Sequence, residues 1–336
     1  MDSTEQLASG DYNHRIANIS KDEFGALANS FNNMASEIEN FSSTIMQTNE
    51  AMRRFVPEQF LKFLNKQNIS EINLGDQIQR EMTILFSDIR SFTSISEKMS
   101  PQETFRFLNS YLEHVGPVIR RNNGFIDKYI GDGIMALFPG EPEDALKAAI
   151  EMQEEVALYN IIRVKDKREP ISIGVGLHTG KLILGTIGEK ERMDSTVISD
   201  SVNLASRIES LTKYYSSQIL LSSTTADLIQ NPFRYHIRII DRVKVKGKED
   251  PILIVEALDG LDKTIRDFYI LTRVEFEAGM FAYTNKDFET AKSLFENVIE
   301  KNPHDTVAKI YLDRTKQYLS SGVSETWEAV ETMSEK

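Results

Sequence analysis

Phe125-Ile-Asp-Lys-Tyr-Ile-Gly-Asp-Gly-Ile-Met-Ala-Leu-Phe138 decides how the rest of the chain is read. Two apolar-rich runs, 125–130 and 134–138, flank Gly131-Asp132-Gly133, and this pattern predicts a β-hairpin. Upstream, residues 82–86 (Met-Thr-Ile-Leu-Phe) predict a strand. Ser100-Pro101-Gln102-Glu103 predicts a capping box with Pro at the first helical position, opening a helix that ends near Asn123-Gly124. Downstream, a helix is expected over about 143–157. Residues 171–177 and 181–187 predict a second hairpin around Thr179-Gly180. A helix over about 200–211 follows, and short strands near Gln218, Tyr235, Val243 and Ile252 close the region. Hairpins mixed with helices point to an α+β sandwich and not to a doubly wound sheet.

The composition sets limits around that core. A chain of 336 residues predicts about two domains. Its net charge of −12 repels nucleic acid, so a generic DNA- or RNA-binding role is excluded. With no cysteine there is no thiolate zinc site and no Cys nucleophile. Any metal must sit on oxygen or His ligands, which makes Mg²⁺ or Mn²⁺ the first expectation.

Before the core, Ser20-Lys21-Asp22-Glu23 reads as a capping box with Ser20 as the cap. Apolar residues then recur at Phe24, Leu27, Phe31, Met34, Ile38, Phe41, Ile45, Met52 and Phe55, with Thr48 as one polar break. Steps of three and four held this long favour a parallel coiled coil over one amphipathic helix packed on its own domain. Pro57 ends the seam. After the core, residues 262–320 are helical. Gly279, Ala291, Phe295 and Pro303 stand at tetratricopeptide spacing, although Glu275 and Ala282 occupy the repeat's usual Trp and Tyr positions. A plain helical hairpin fits those residues equally well. Residues 321–336 are acidic and Ser-rich and are expected to fray.

Several polar residues could carry chemistry. Asp88 ends the first strand and Asp132 sits at the hairpin tip, so the two could share a cation. Each taken alone is ordinary turn chemistry. The turn from Asp88 into the next helix, at Phe92 and Thr93, offers N–H groups for a phosphate. Asn203 and Arg207 share a helix face, which alone would be a solvated stripe. Lys246 lies in Val243-Lys-Val-Lys-Gly-Lys248, which alone would be an edge strand blunted by lysines. His178 reads as a satisfied structural histidine. No Walker A loop and no G-x-G-x-x-G is present.

FSDIRSFT, DKYIGDGIMALF, IGVGLHTG, VISDSVNLASR and VKVKGK occur in this order and together resemble the class III nucleotide cyclase catalytic domain. The resemblance covers about residues 50–258. Residues 10–41, with Lys21-Asp-Glu-Phe-Gly25, resemble the second half of a HAMP signalling domain. Such modules usually follow a transmembrane helix, so the resemblance implies the cytoplasmic part of a membrane-anchored receptor-type cyclase. The organisation expected is a partial HAMP and coil over 1–56, a transducer linker over 57–77 and a catalytic domain over 78–258. A tetratricopeptide-like region over 262–320 and a flexible tail over 321–336 would follow. The implied catalytic fold is the ferredoxin-like, palm-type sandwich, with an N-terminal coiled-coil helix and a C-terminal helical hairpin.

The resemblance also implies roles. Asp88 and Asp132, with the Ile89 carbonyl, would hold two Mg²⁺ or Mn²⁺ ions, and no organic cofactor is expected. Lys128 and Thr196 align with the base-reading pair, Asn203 with the ribose-orienting residue, Arg207 with the α-phosphate contact and Lys246 with the terminal-phosphate contact. In homodimeric members one chain supplies the aspartates and its partner supplies the rest. Adenine presents an acceptor at N1 and a donor at its 6-amino group. Lys128 donates and the Thr196 hydroxyl accepts, and guanine reverses both edges. ATP is therefore the expected substrate. A guanylyl or dual-specificity cyclase, or a silent dimerising module, is the alternative. Thr196 resembles the subgroup that includes bicarbonate-stimulated enzymes, which makes bicarbonate a candidate regulator and no more. Gly174 departs from relatives that carry a phosphate-contacting Arg there. The C-terminal helices could offer a surface for a protein partner.

Overall fold

The computed structural model describes residues 3–17, 21–53, 55–245 and 250–333. The chain divides into two compact units, Met1–Glu71 and Ile72–Lys336.

The first unit holds α1 (Ser3–Ala8), α2 (Glu23–Arg53) and α3 (Glu58–Phe63). At 31 residues, α2 is about 46 Å long. Its buried face is Gly25, Ala28, Phe31 and Ala35. The segment before it packs on this helix. Arg15 Nη2 reaches Glu39 Oε2 at 2.7 Å and Ser36 Oγ at 3.0 Å. The Asn32 amide meets the Ile16 peptide both ways, accepting from its N–H at 2.8 Å and donating to its carbonyl at 3.2 Å. Phe31, expected in the coil seam, is thus turned inward onto the unit's own core. Phe24, Leu27, Met34, Phe41, Ile45 and Met52 stay exposed. The cap of α2 is Asp22, whose Oδ1 accepts from the N–H groups of Phe24 and Gly25. Ser20, expected as the cap, lies outside the described residues.

The second unit runs β1 (Gln77–Ile89), α4 (Phe92–Ser96), α5 (Pro101–Arg121), β2 (Phe125–Ile130), β3 (Gly133–Phe138) and α6 (Pro142–Lys165). It continues with β4 (Ile173–Gly188), β5 (Met193–Ile198), α7 (Asp200–Tyr215), β6 (Ile219–Ser222), α8 (Ser223–Asp227), β7 (Ile237–Val245) and β8 (Ile252–Ala257). It closes with α9 (Lys263–Leu271), α10 (Arg273–Thr284), α11 (Phe288–Lys301), α12 (Thr306–Ser321) and β9 (Glu331–Met333). The described strands form one mixed sheet in the order β2-β3-β1-β4-β6-β8-β7-β9, with β5 paired to β4. Apolar residues alternate between its faces, as the two-residue period of a strand requires. On one face Leu85, Ile89, Val175, Leu177 and Leu221 meet α5 and α6. On the other, Leu220, Ile240 and Ile254 meet α7 and the C-terminal helices. The predicted α+β sandwich is what forms.

The expected hairpin around Thr179-Gly180 does not form. Residues 173–188 are one strand, paired without a register break to β1 from Gln77↔Gly185 to Ile89↔Ile173. Its glycines serve close packing instead of a turn. A Cβ at Gly174 would collide with Thr212 Oγ1, one at Gly176 with the Glu209 backbone, and one at Gly180 with Ser201 Oγ. These three positions lie on one face and let α7 press on the strand backbone. The reversal comes later, at Gly188 with φ of +133°, and leads into β5, a strand the sequence reading omitted. Tyr235 and Val243 are likewise not two strands, because β7 runs unbroken from Ile237 to Val245 past a bulge between Ile239 and Asp241.

The C-terminal helices are built into this unit. Arg238, buried on β7, pairs with Glu256 Oε2 and makes a two-pronged pair with Asp305, the cap of α12, at 2.7 and 3.0 Å. Asp241, also buried, accepts from Tyr215 Oη at 2.6 Å, Tyr311 Oη at 2.8 Å and Arg314 Nη1 at 2.8 Å. It therefore joins the end of α7 to α12. The expected helical hairpin is α10–α11, where Gly279 admits the Phe295 ring. Residues 321–333, expected to fray, make defined contacts. Trp327 packs on Tyr283, Phe288 and Tyr318, and β9 pairs in parallel with β7.

Candidate active site

The β2–β3 hairpin forms with Gly131 at φ of +64°, the conformation that glycine at the first turn position supplies. Gly133 brings the tip against β1, since a Cβ there would stand 3.2 Å from the Ser87 carbonyl. Asp132 at the tip accepts the Ile89 N–H on Oδ2 at 3.1 Å, which sets it beside Asp88. Burial, a hydrogen bond to Asp88 and the Asp88 charge together push the Asp132 carboxyl up to about 7. Two adjacent carboxylates resist joint ionisation, and a divalent cation removes that penalty. The Asp88–Asp132 pair with the Ile89 backbone therefore fits a hard oxygen-seeking ion such as Mg²⁺ or Mn²⁺.

Three residues around Asp88 escaped the sequence reading. Lys213 Nζ lies 2.9 Å from Asp88 Oδ2. Glu209 is buried, and burial followed by the Asp88 charge pushes its carboxyl up to about 7. Arg90 donates from Nη2 to the carbonyls of Thr212 at 2.8 Å and Ser217 at 2.7 Å, gripping the end of α7. The pairing Asp88–Lys213 spans 125 positions, so only the fold creates it. Phe92 and Thr93 begin α4 beside this centre. The Phe92 ring stacks on Phe107 at 6.3 Å and is partly core, while Thr93 is exposed.

The remaining candidates stand elsewhere in the same chain. Asn203 is exposed and Arg207 half-buried on α7, above buried Leu204, Ala205 and Ile208. Asn203 precedes Lys213 by ten residues, about 15 Å of helix. Thr196 on β5 faces Gly185, whereas Asp88 faces Gly174. Those two positions of β4 are eleven residues apart, roughly 35 Å along the strand. Lys128 on β2 pairs across to Met135 after a bulge, and its Nζ lies 3.5 Å from Asp127 Oδ2. Lys246 lies outside the described residues. His178 is buried and bonded through Nδ1 to Ser222 Oγ at 2.8 Å, a core position. A cavity of about 990 Å³ between β7, β8 and α10 is lined by none of these candidate residues.

Comparison with known proteins supplies the frame. Residues 75–259 match the adenylate and guanylate cyclase catalytic domain, and residues 1–40 match the HAMP domain. An adenylate cyclase of Anabaena cylindrica is 45% identical over 261 residues, 76% of this chain and 52% of that protein. The terminal-differentiation-specific adenylate cyclase of Dictyostelium discoideum is 37% identical over 82% of this chain and 13% of that protein. The chain thus spans about half of the first relative's length and far less of the second's. The structure of a bacterial light-regulated adenylyl cyclase superposes with a TM-score of 0.59 at 23% identity, covering 68% of this chain and 66% of that one.

Proposed function

Because this chain belongs to the adenylate and guanylate cyclase catalytic domain family, we propose that it makes 3′,5′-cyclic AMP and pyrophosphate from ATP, in two sites shared across a homodimer. One observation carries the shared-site reading. Thr196 on β5 and Asp88 on β1 pair with opposite ends of β4, at positions roughly 35 Å apart by strand rise, too far to meet one nucleotide within a chain. A second copy set head-to-tail brings the far end of one β4 to the near end of the other. The β4–β5 arm and the β2 end expose Ile183, Ile187, Met193, Ile198, Tyr129 and Ile130, apolar surface suited to burial by such a copy. The exposed seam of α2 supports a parallel coil in the same dimer. We read the HAMP stretch as the signal input of a receptor-type protein. No helix among the described residues is long and apolar enough to cross a membrane.

Within each shared site, Asp88, Asp132 and the Ile89 carbonyl would hold Mg²⁺ or Mn²⁺. When bound, such ions supply activation of the ribose 3′-OH and neutralisation of the triphosphate. The partner's copies of Lys128 and Thr196 would read the adenine edge, and its Asn203 would orient the ribose. Arg207, which has no ion-pair partner among the described residues, carries a planar guanidinium whose forked donors suit charge that develops on the α-phosphate. Lys246 would hold the terminal phosphates. The 3′ oxygen forms a bond to the α-phosphorus, the bond to the bridging oxygen breaks, pyrophosphate leaves with the electron pair, and the 3′ proton passes to solvent. Positioning and charge carry this reaction, since no covalent intermediate is needed.

The test is product formation by the purified chain from ATP and from GTP, with Mg²⁺ or Mn²⁺, with and without bicarbonate. Cyclic AMP from ATP is expected, well above cyclic GMP from GTP, with bicarbonate raising the rate. No cyclic AMP from Mn²⁺-ATP at high protein concentration would refute the proposal.

A further inference from the structure

Asp88 is already occupied by a cation of the protein itself. Gly174, its register partner on β4, lets Thr212 settle directly on the sheet, which places the next residue, Lys213, over the end of β1. Lys213 belongs to the last turn of α7, where the helix dipole favours a cation. Its side chain is 51% exposed and flexible, and Nζ sits 2.9 Å from Asp88 Oδ2. The neighbouring charges explain why this lysine and no other group does the work. Arg90, the other cation near Asp88, is fixed to the carbonyls of Thr212 and Ser217, and Glu209 is buried. Asp132 already accepts the Ile89 N–H.

We propose that Lys213 is a positioning residue that holds Asp88 until a divalent metal displaces it, so that metal entry is an exchange of one cation for another. This rests on reading Asp88 as a metal ligand. An ammonium and a divalent ion on one carboxylate oxygen repel each other, so the lysine must leave as the metal arrives. While it stays, it offsets the repulsion between Asp88 and Asp132 and keeps Asp88 in a single orientation. Lys213 thereby sets the metal concentration that the centre requires.

The measurement is Mn²⁺ binding to the nucleotide-free full chain, read from the electron paramagnetic resonance signal of free Mn²⁺. Lys213→Met, which removes the competitor, should bind Mn²⁺ about two- to fivefold more tightly, the range that an exposed ion pair permits. Lys213→Arg, which keeps a cation there, should bind as the unmodified chain does. Lys213→Gln serves as a second neutral variant if Lys213→Met folds poorly. Neutral variants that bind Mn²⁺ no more tightly than the unmodified chain would overturn the proposal. Asp88→Asn separates the two levels. It should lose the Mn²⁺ site, and unchanged binding there would refute the metal-ligand reading itself.

Discussion

Asp88→Asn should reduce cyclic AMP formation by about a thousandfold or more, the equivalent of the roughly 4 kcal/mol of charge stabilisation that a metal centre supplies. The amide keeps the shape of the carboxylate and removes its charge. Burial still pushes the Asp132 carboxyl up, but with its charged neighbour gone the carboxyl, now held up to about 7, should fall part of the way toward the ordinary carboxylate range. The fold should suffer little, because Asp88 stands at a strand end and the substitution removes both a repulsion with Asp132 and a partly exposed ion pair with Lys213, two small terms of opposite sign. The checks are steady-state cyclic AMP production and the thermal midpoint. Lost activity with a nearly unchanged midpoint is the expected pair. Retained metal-dependent activity would remove Asp88 from the centre.

Lys128→Glu should lower kcat/KM for ATP by a factor of up to about 10⁴, the discrimination available when a site's buried polar groups are left unpaired. Lysine donates to adenine N1, and glutamate only accepts, so the edges no longer match. Guanine N1 donates, so some turnover of GTP is the expected gain. The substitution also sets a carboxylate beside Asp127, whose carboxyl burial already pushes up while Lys128 pulls it down. Lys128→Met isolates that effect, since it removes the ammonium without adding a charge. Chromatographic separation of cyclic AMP and cyclic GMP reads both outcomes. Unchanged ATP turnover in Lys128→Glu would refute the base-reading role.

The hairpin around Asp132, the capping box at Ser100 and the helix bearing Asn203 and Arg207 were legible because each is a local pattern. Ser100 accepts from the Glu103 N–H and Glu103 answers to the Ser100 N–H, as the four residues alone imply. Thr179-Gly180 misled because a glycine can signal a turn or a close approach, and only the position of α7 separates the two. The polar run after Gly188 was the available sign of the true reversal. The acidic tail looked unsupported because the aromatic cluster that holds Trp327 is assembled from three separate helices. Lys213, Glu209 and Arg90 left no local signal at all. Their significance arises from α7 lying on β4 and so ending beside β1, a placement that the glycines at 174, 176 and 180 permit but do not announce.

The central claim is that each site takes its metal carboxylates from one chain and its phosphate-directed cation from the other. Mixing two dead chains tests it most directly. Asp88→Asn and Arg207→Ala should each be inactive as homodimers. In a heterodimer, one site collects both lesions and the other collects neither. A co-expressed or re-equilibrated equal mixture should therefore recover about one quarter of the unmodified activity, as a two-fold symmetric dimer with two equivalent sites requires. A mixture that stays as inactive as its parents would show that Asp88 and Arg207 serve the same chain's site, contradicting the shared-site account.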